Sequence, residues 1–296
     1  MDDHATAQSN LKGVLLLALA FFLFSSSDTI SKYLTAELHP IQIVWTRQAA
    51  LMLGALVILA VKGPSLLRTG SPWLQVTRGA LAVGSAVCFM LAIRHVPLAD
   101  AIAVTFVVPF MVTVLGVVLL GETVGVRRWS AIIVGFIGAL IIIRPGLGVF
   151  HPAIFFVLLA ALFFAFRQVM SRMLAATDRT LTTVVYTALV SAAILSIPVP
   201  FFWQTPDSAK TIGLLAAMAG LAAVGEILII RAFELAQASV AAPVHYSLII
   251  WATFYGWLIF DQLPDFWTWV GTGIIFATGI YLIYRERAVK TQKPAR

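Results

Sequence analysis

A shift of the numbering by 140 residues, without a gap, lays the second half of this chain on the first: Ala92 falls on Ala232, Thr113 on Thr253, Gly116 on Gly256, Trp129 on Trp269 and Phe136 on Phe276. The same shift places Leu19-Ala20 on Leu159-Ala160, Ser31 on Ser171 and Leu81-Ala82 on Leu221-Ala222. A repeat of this kind identifies the structural unit before any element is assigned, so the chain reads as a tandem duplication. Its clearest unit is a hairpin from His95 through Ala99-Asp100 and Leu119-Leu120-Gly121-Glu122 to Arg127-Arg128-Trp129 and Arg144-Pro145-Gly146. It reads as two apolar helices with a short polar turn, and it recurs over 235–286.

The repeated unit belongs in a bilayer. Hydrophobic residues make up 60% and charged residues 11% of the 296 positions, with a mean hydropathy of +0.96, whereas charged residues form about a quarter of an ordinary soluble domain. The apolar runs are continuous over about twenty residues, the length of a spanning helix, and lack the strict alternation of a membrane β-barrel. The expected fold is all-α and integral to the membrane. The formal charge of +7 comes from Lys and Arg scattered over short loops, with no basic stripe interleaved with aromatics, so no nucleic-acid partner is expected. The single Cys88 excludes an intrachain disulfide framework and a Cys-rich metal site. The start of the chain has no basic run before its first apolar segment, and that segment is read as a retained helix because its counterpart at 153–174 is needed inside the protein.

Breaking the runs at Pro, Gly and charged loops gives ten spans, at 11–34, 41–61, 72–92, 97–120, 127–143, 152–174, 181–202, 211–233, 239–260 and 266–284. Five fall in each half. Because five is odd, the second half enters the membrane from the opposite side, which gives the inverted-topology pair typical of secondary transporters. The expected divisions are 1–148, 149–288 and a basic tail over 289–296. With the amino end in the cytoplasm, 14 basic residues lie on that side against 5 opposite (Lys32, Arg47, Arg94, Arg144 and Lys210), with Arg167 inside a span. The positive-inside rule then places both termini in the cytoplasm. Trp73, Trp129, Trp203, Trp267, Trp269, Tyr281 and Tyr284 stand near span ends and read as interfacial anchors. Glycines at 135, 138, 271, 273, 279 and the pair 116/256 read as close helix contacts.

These residues carry a family resemblance. The Leu119-Leu120-Gly121-Glu122 helix end, Arg128-Trp129, the glycines at 135 and 138, and Arg144-Pro145-Gly146 resemble the first repeat of the drug/metabolite transporter superfamily, in its ten-helix EamA-type branch. Phe260-Asp261-Gln262-Leu263-Pro264-Asp265, Trp269, Gly271, Gly279 and Tyr284-Arg285-Glu286 match the second. The second repeat departs from the Gly-Glu pair with Asp261-Gln262, which leaves open whether the two halves share the glutamate's role. The resemblance covers nearly the whole chain. It implies secondary transport of small organic metabolites, with amino acids or related compounds as the leading substrate class and import of a cofactor-like solute such as riboflavin or S-adenosylmethionine as the alternative. It also implies a bacterial cytoplasmic (inner) membrane location, lipid as a partner, a monomer or homodimer, and no cofactor.

Ionisable side chains within spans are costly and are functional candidates by default. Asp28 and Arg47 fall near the outer third of their spans, and Arg167 and Glu226 near the inner third, so each couple is placed to form a charge pair. Gates on either side of a midplane cavity and fixed ties between helices both fit that placement. Pro243 precedes His245-Tyr246 in the ninth span, and the shift matches these to Thr105-Phe106 in the fourth, with Pro109 just beyond. Proline frees a carbonyl within a membrane helix, and bent helices at repeat-related positions point to a binding site. His245, Tyr246, Thr105, Phe106 and Trp45 are the expected substrate contacts, with Phe110, Phe164, Trp251 and Tyr255 as further aromatic candidates. Proton coupling would suit Glu226 or His245. Chemistry is expected where the copies differ, at Thr105 against His245 and Ser27-Asp28 against Arg167-Gln168.

An intramembrane enzyme would need a His-Glu-x-x-His motif or paired aspartates in spans, and the sequence has neither. A channel would need a repeated filter motif or a ring-forming charged helix, and these too are missing. The polar residues within spans make a transport-free membrane scaffold the weaker reading. No catalytic residue and no metal site are expected.

Overall fold

The computed structural model describes residues 2–122, 125–144, 151–235 and 242–291. Pro145, Gly146 and residues 292–296 of the tail lie outside the described residues, as do the side chains of Arg127, Arg128, Pro243, Tyr284, Arg285 and Glu286. The helices are α1 (Asp2–Leu34), α2 (Pro40–Lys62), α3 (Pro72–Ile93), α4 (Leu98–Thr105), α5 (Val108–Leu120), α6 (Val126–Ile143), α7 (Ile154–Leu174), α8 (Thr180–Ser196), α9 (Ala209–Leu235), α10 (Ser247–Phe260) and α11 (Phe266–Thr291), and no strand occurs among the described residues. Among the described residues, seven segments are long and apolar enough to cross a membrane, and Trp129–Ile143 and Val244–Phe260 are shorter apolar helices. In hydrocarbon every backbone amide must find its partner internally, which apolar sequence achieves only as helix here.

Local chemistry sets the helix ends. Pro40 and Pro72 occupy first turns, where the missing N–H costs nothing. Gly121 closes α5 in the left-handed region at φ 66°, and its repeat partner Asp261 closes α10 there at φ 53°. The next residue then folds back in both copies, Glu122 N–H donating to the Gly116 carbonyl (3.2 Å) and Gln262 N–H to the Gly256 carbonyl (2.9 Å). The backbone task of the Gly-Glu pair is therefore shared by both halves. Only the side chains differ.

Three predicted spans are interrupted. The helix expected over 97–120 breaks between α4 and α5, because Pro109 has no N–H for the Thr105 carbonyl and its ring crowds that turn. The chain tightens to three-residue spacing, with Phe106 N–H on Ala103 O (3.2 Å) and Val107 N–H on Val104 O (3.1 Å). In the span expected over 239–260, a 3-10 turn at Ala242–Tyr246 precedes α10. The breaks fall at Phe106 and Tyr246, which the 140-residue shift superimposes. The span expected over 181–202 leaves the α-helix after Ser196, where Pro198 and Pro200 impose a 3-10 turn at Val199–Phe201.

The bundle packs α1 on α9, α3 on α7, α2 on α8 and α6 on α11, with α2 also on α9, α3 on α8, α5 on α7, α1 on α10 and α4 on α10. Lipid supplies no hydrophobic drive between helices, so close approach matters. At the α6–α11 crossing, a Cβ on Gly271 would stand 2.5 Å from the Gly138 carbonyl oxygen. Trp73, Trp129, Trp203, Trp267, Trp269 and Tyr281 are exposed, as interfacial anchors must be.

Candidate functional site

The two helix breaks deliver side chains to one place. Phe106 and Tyr246, both buried, meet edge to face at 5.1 Å. His245 lies 6.2 Å from Phe106 and 5.0 Å from Phe21. His245 is itself exposed. Phe22 extends the aromatic wall to Trp251 (4.9 Å) and Tyr255 (6.2 Å), and Ser26 and Tyr255 share a hydroxyl hydrogen bond of 2.8 Å. Tyr246 also packs on Phe276 at 4.7 Å, and its hydroxyl occupies the space a Cβ on Gly279 would need.

Other expected contacts lie elsewhere. Thr105 donates its hydroxyl to the Ile102 carbonyl (2.7 Å), within the broken turn. Trp45 donates to Ser196 Oγ (2.9 Å) and meets Trp203 edge to face, which ties α2 to the end of α8. Phe110 lies beneath Gly135 in the core.

The expected charge couples take different forms. Arg47 Nη1 and Asp28 Oδ1 form an ion pair of 2.7 Å, with the guanidinium over the Phe24 ring at 5.2 Å. Arg167 and Glu226 lie within electrostatic reach of each other, but no ion pair within 4 Å joins them among the described residues. Arg167 instead stacks on Phe164 at 4.5 Å, and its Nε has no hydrogen-bond partner. A third charge joins them. Arg78 donates Nε–H to Ser171 Oγ (2.8 Å) and Nη1–H to Thr187 Oγ1, and Ser171 in turn donates to the Arg167 carbonyl (2.7 Å).

Each end of the bundle carries its own fastening. At one end Lys32 is buried, donating to the Val96 carbonyl (2.7 Å) and Gln262 Oε1 (3.1 Å) beneath Phe260. Nearby, Arg144 pairs with Asp265, and burial of Asp265 is outweighed by hydrogen bonds from Thr268 and Arg144 that hold its carboxyl below the usual range. Asp100, in the first turn of α4, is a carboxylate inside the first repeat in addition to Asp28, and its Oδ1 lacks a hydrogen-bond partner. At the other end Arg172 meets Glu122 at 3.4 Å with side chains 48% and 35% exposed, a looser closure than the buried Lys32. There Thr69, the Gly70 N–H and Gln75 donate to Asp178, and these bonds hold its carboxyl below the usual range. Sequence reasoning placed Lys32, Arg78 and Arg172 in the topology count alone. Arg78 could have been singled out, since it lies six residues inside the expected third span.

Comparison with known proteins converges on one family. The sequence pattern of the EamA-like transporter family matches residues 11–144 and again 151–285. The S-adenosylmethionine uptake transporter of Rickettsia prowazekii is 28% identical over 96% of each chain. The pseudopaline exporter CntI of Pseudomonas aeruginosa is 32% identical over 91% of this chain and 95% of its own. The riboflavin transporter of Rhizobium johnstonii is 27% identical over 96% and 94%. A solved crystal structure at 15% identity superimposes with a TM-score of 0.64 over 97% of this chain and 99% of that one, which shows a common fold. This chain belongs to the EamA-like transporter family of the drug/metabolite transporter superfamily, and it is a multi-pass membrane transporter of small solutes rather than an enzyme.

Proposed function

We propose that this protein moves a cofactor-like solute carrying a flat heteroaromatic ring, of the S-adenosylmethionine or riboflavin kind, by alternating access between two inverted five-helix repeats. The carrying observation is the aromatic cluster that the two helix breaks assemble, Phe106, Tyr246 and His245 with Phe21, beside Phe22, Trp251 and Tyr255. Offset or edge contacts with such rings contribute about 0.5–1.5 kcal/mol each beyond area burial, which suits a planar solute. The expectation of an amino acid substrate finds no support in the named relatives, whereas the cofactor-like alternative agrees with two of them.

Helix pairings support the repeat divisions at 1–148 and 149–288. Exchanging each span with its partner 140 residues away turns α1 on α9 into α7 on α3, α2 on α9 into α8 on α3, and α1 on α10 into α7 on α5, all of which occur. The pairs α2 on α8, α6 on α11 and α4 on α10 map onto themselves. The basic-residue asymmetry of 14 against 5 assigns the Arg172 end and both termini to the cytoplasm, and Glu226 and His245 remain the residues to test for proton coupling. The test is uptake into liposomes of labelled S-adenosylmethionine and riboflavin, with and without a proton gradient. Saturable uptake of either, reduced at least tenfold by Trp251→Ala, is the expected result; uptake of neither, alongside uptake of ringless amino acids, would replace this reading.

A further inference from the structure

The three charges around Arg167 do not balance. Arg78 on α3 and Arg167 on α7 are linked through Ser171, which accepts from Arg78 Nε–H (2.8 Å) and donates to the Arg167 carbonyl (2.7 Å), and Glu226 on α9 is the acidic group whose charge acts on both, giving two positive charges against one negative. Of the carboxylates at this end whose side chains are described, Asp178 is engaged by Thr69, Gly70 and Gln75, and Glu122 by Arg172. Arg78 is held in position by neutral hydroxyls of Ser171 and Thr187 and, at 3.5 Å, by the Thr183 carbonyl. These accept its hydrogen bonds but cannot neutralise its charge. Arg167 keeps a buried Nε without a partner and lies against an aromatic face, a weakly polar support that leaves its remaining N–H groups free to turn to an incoming acceptor. A guanidinium in a membrane interior normally pairs or faces a water-filled cavity, and its planar fork of donors fits a carboxylate bidentately.

We infer that Arg78 and Arg167 form an anion-binding subsite that takes the carboxylate of the transported solute, with Glu226 as the neighbouring anion that competes with it. The inference rests on the ring-bearing solute proposed above and narrows it to one that also carries a carboxylate. Among ring compounds, S-adenosylmethionine then fits better than uncharged riboflavin.

The test is binding to the full chain in lipid nanodiscs, comparing S-adenosylmethionine with its decarboxylated analogue. Charge-assisted hydrogen bonds of this type discriminate by about 10- to 100-fold, so the wild type should prefer the carboxylate form by at least tenfold. Arg167→Gln and Arg78→Gln should bring that ratio close to one, Arg167→Lys should keep most of it, and Glu226→Gln should raise affinity for the carboxylate form. A ratio unchanged by Arg167→Gln in a folded protein overturns the subsite. If neither ring compound nor riboflavin binds, the ring reading fails and ringless carboxylates such as methionine become the probe. The subsite then stands only if their binding depends on Arg167, and falls otherwise.

Discussion

The two halves place an arginine on the same aromatic ring and do different things with it. Phe24 and Phe164 are repeat partners; Phe24 carries Arg47, which is paired with Asp28 at 2.7 Å, and Phe164 carries Arg167, which has no ion pair among the described residues. A second repeat-related contrast joins it at the bundle ends. Lys32 and Arg172 are partners under the shift, as are Gln262 and Glu122, so the 3.1 Å Lys32–Gln262 contact and the 3.4 Å Arg172–Glu122 contact are one device built twice. One is buried around a neutral acceptor. The other is an exposed ion pair. A duplicated scaffold thus supplies a tie in one copy and an unsatisfied cation in the other, and the lesson is that function is to be sought where a repeated device is left incomplete.

The contrast is broken most severely at the tie. Asp28→Asn strands Arg47, and loss of one partner of a buried pair costs about 3–5 kcal/mol, so thermal unfolding in detergent should shift markedly downward. The Asp28→Arg, Arg47→Asp double variant should recover most of that loss. Arg167→Gln, which breaks no ion pair, should destabilise far less in the same assay. If both single variants destabilise equally, the distinction between tie and receptor fails.

A second test concerns the ring at the helix break. Where the second repeat has Gly279 and Tyr246, the first has Ala139 and Phe106, so the missing methyl makes room for the hydroxyl. Gly279→Ala should displace Tyr246 at a cost of about 1–3 kcal/mol, the usual scale of overpacking, and reduce transport. Adding Tyr246→Phe recreates the first repeat's pair and should restore stability, as melting curves would register.

The end fastenings allow a finer comparison. Gln262→Glu gives the buried Lys32 a charged acceptor like the one Arg172 already has. Strengthening a closure by roughly 1.4 kcal/mol slows its opening about tenfold, so turnover in liposomes should fall by that order while stability rises.

The smallest effect is in pH. Asp178 is held below the usual carboxylate range, so its bonds to Thr69, Gly70 and Gln75 contribute fully above the ordinary carboxylate pKa of about 4 and are lost as pH falls through the lower folded value. The neutral pair of hydrogen bonds between Gln42 and Gln204, both 2.8 Å, fastens the Lys32 end without titrating. Acid should therefore loosen the Asp178 fastening and leave the Gln42–Gln204 one unchanged, seen as faster proteolysis of the 175–179 loop below about pH 4, and Asp178→Asn should remove that dependence.

Much of this was legible in the sequence. The spans, the shift of 140 and the repeat-related positions 106 and 246 follow from hydropathy and identity alone, because a helix in lipid needs only a long apolar run. Asp28 with Arg47 was legible too, since two opposite charges at one depth have few other partners. Depth alone could not show that Arg167 and Glu226 stop short of pairing, nor that Arg78 joins them. Helix rotation decides such contacts, and in apolar spans lying against both protein and lipid the periodicity that reports rotation is weak. The partner of Trp45 was hidden for the same reason. Its depth suited a solute, but its indole turns to Ser196.

The most direct test is the rise in melting temperature that saturating S-adenosylmethionine produces in three proteins. The wild type and the Asp28→Arg, Arg47→Asp variant should be stabilised alike by several degrees, because the tie is intact in both, whereas Arg167→Gln should show little or no rise. Equal stabilisation of Arg167→Gln and the wild type, with loss of the effect in the charge-swapped protein, would contradict the assignment of tie and receptor and reverse their roles.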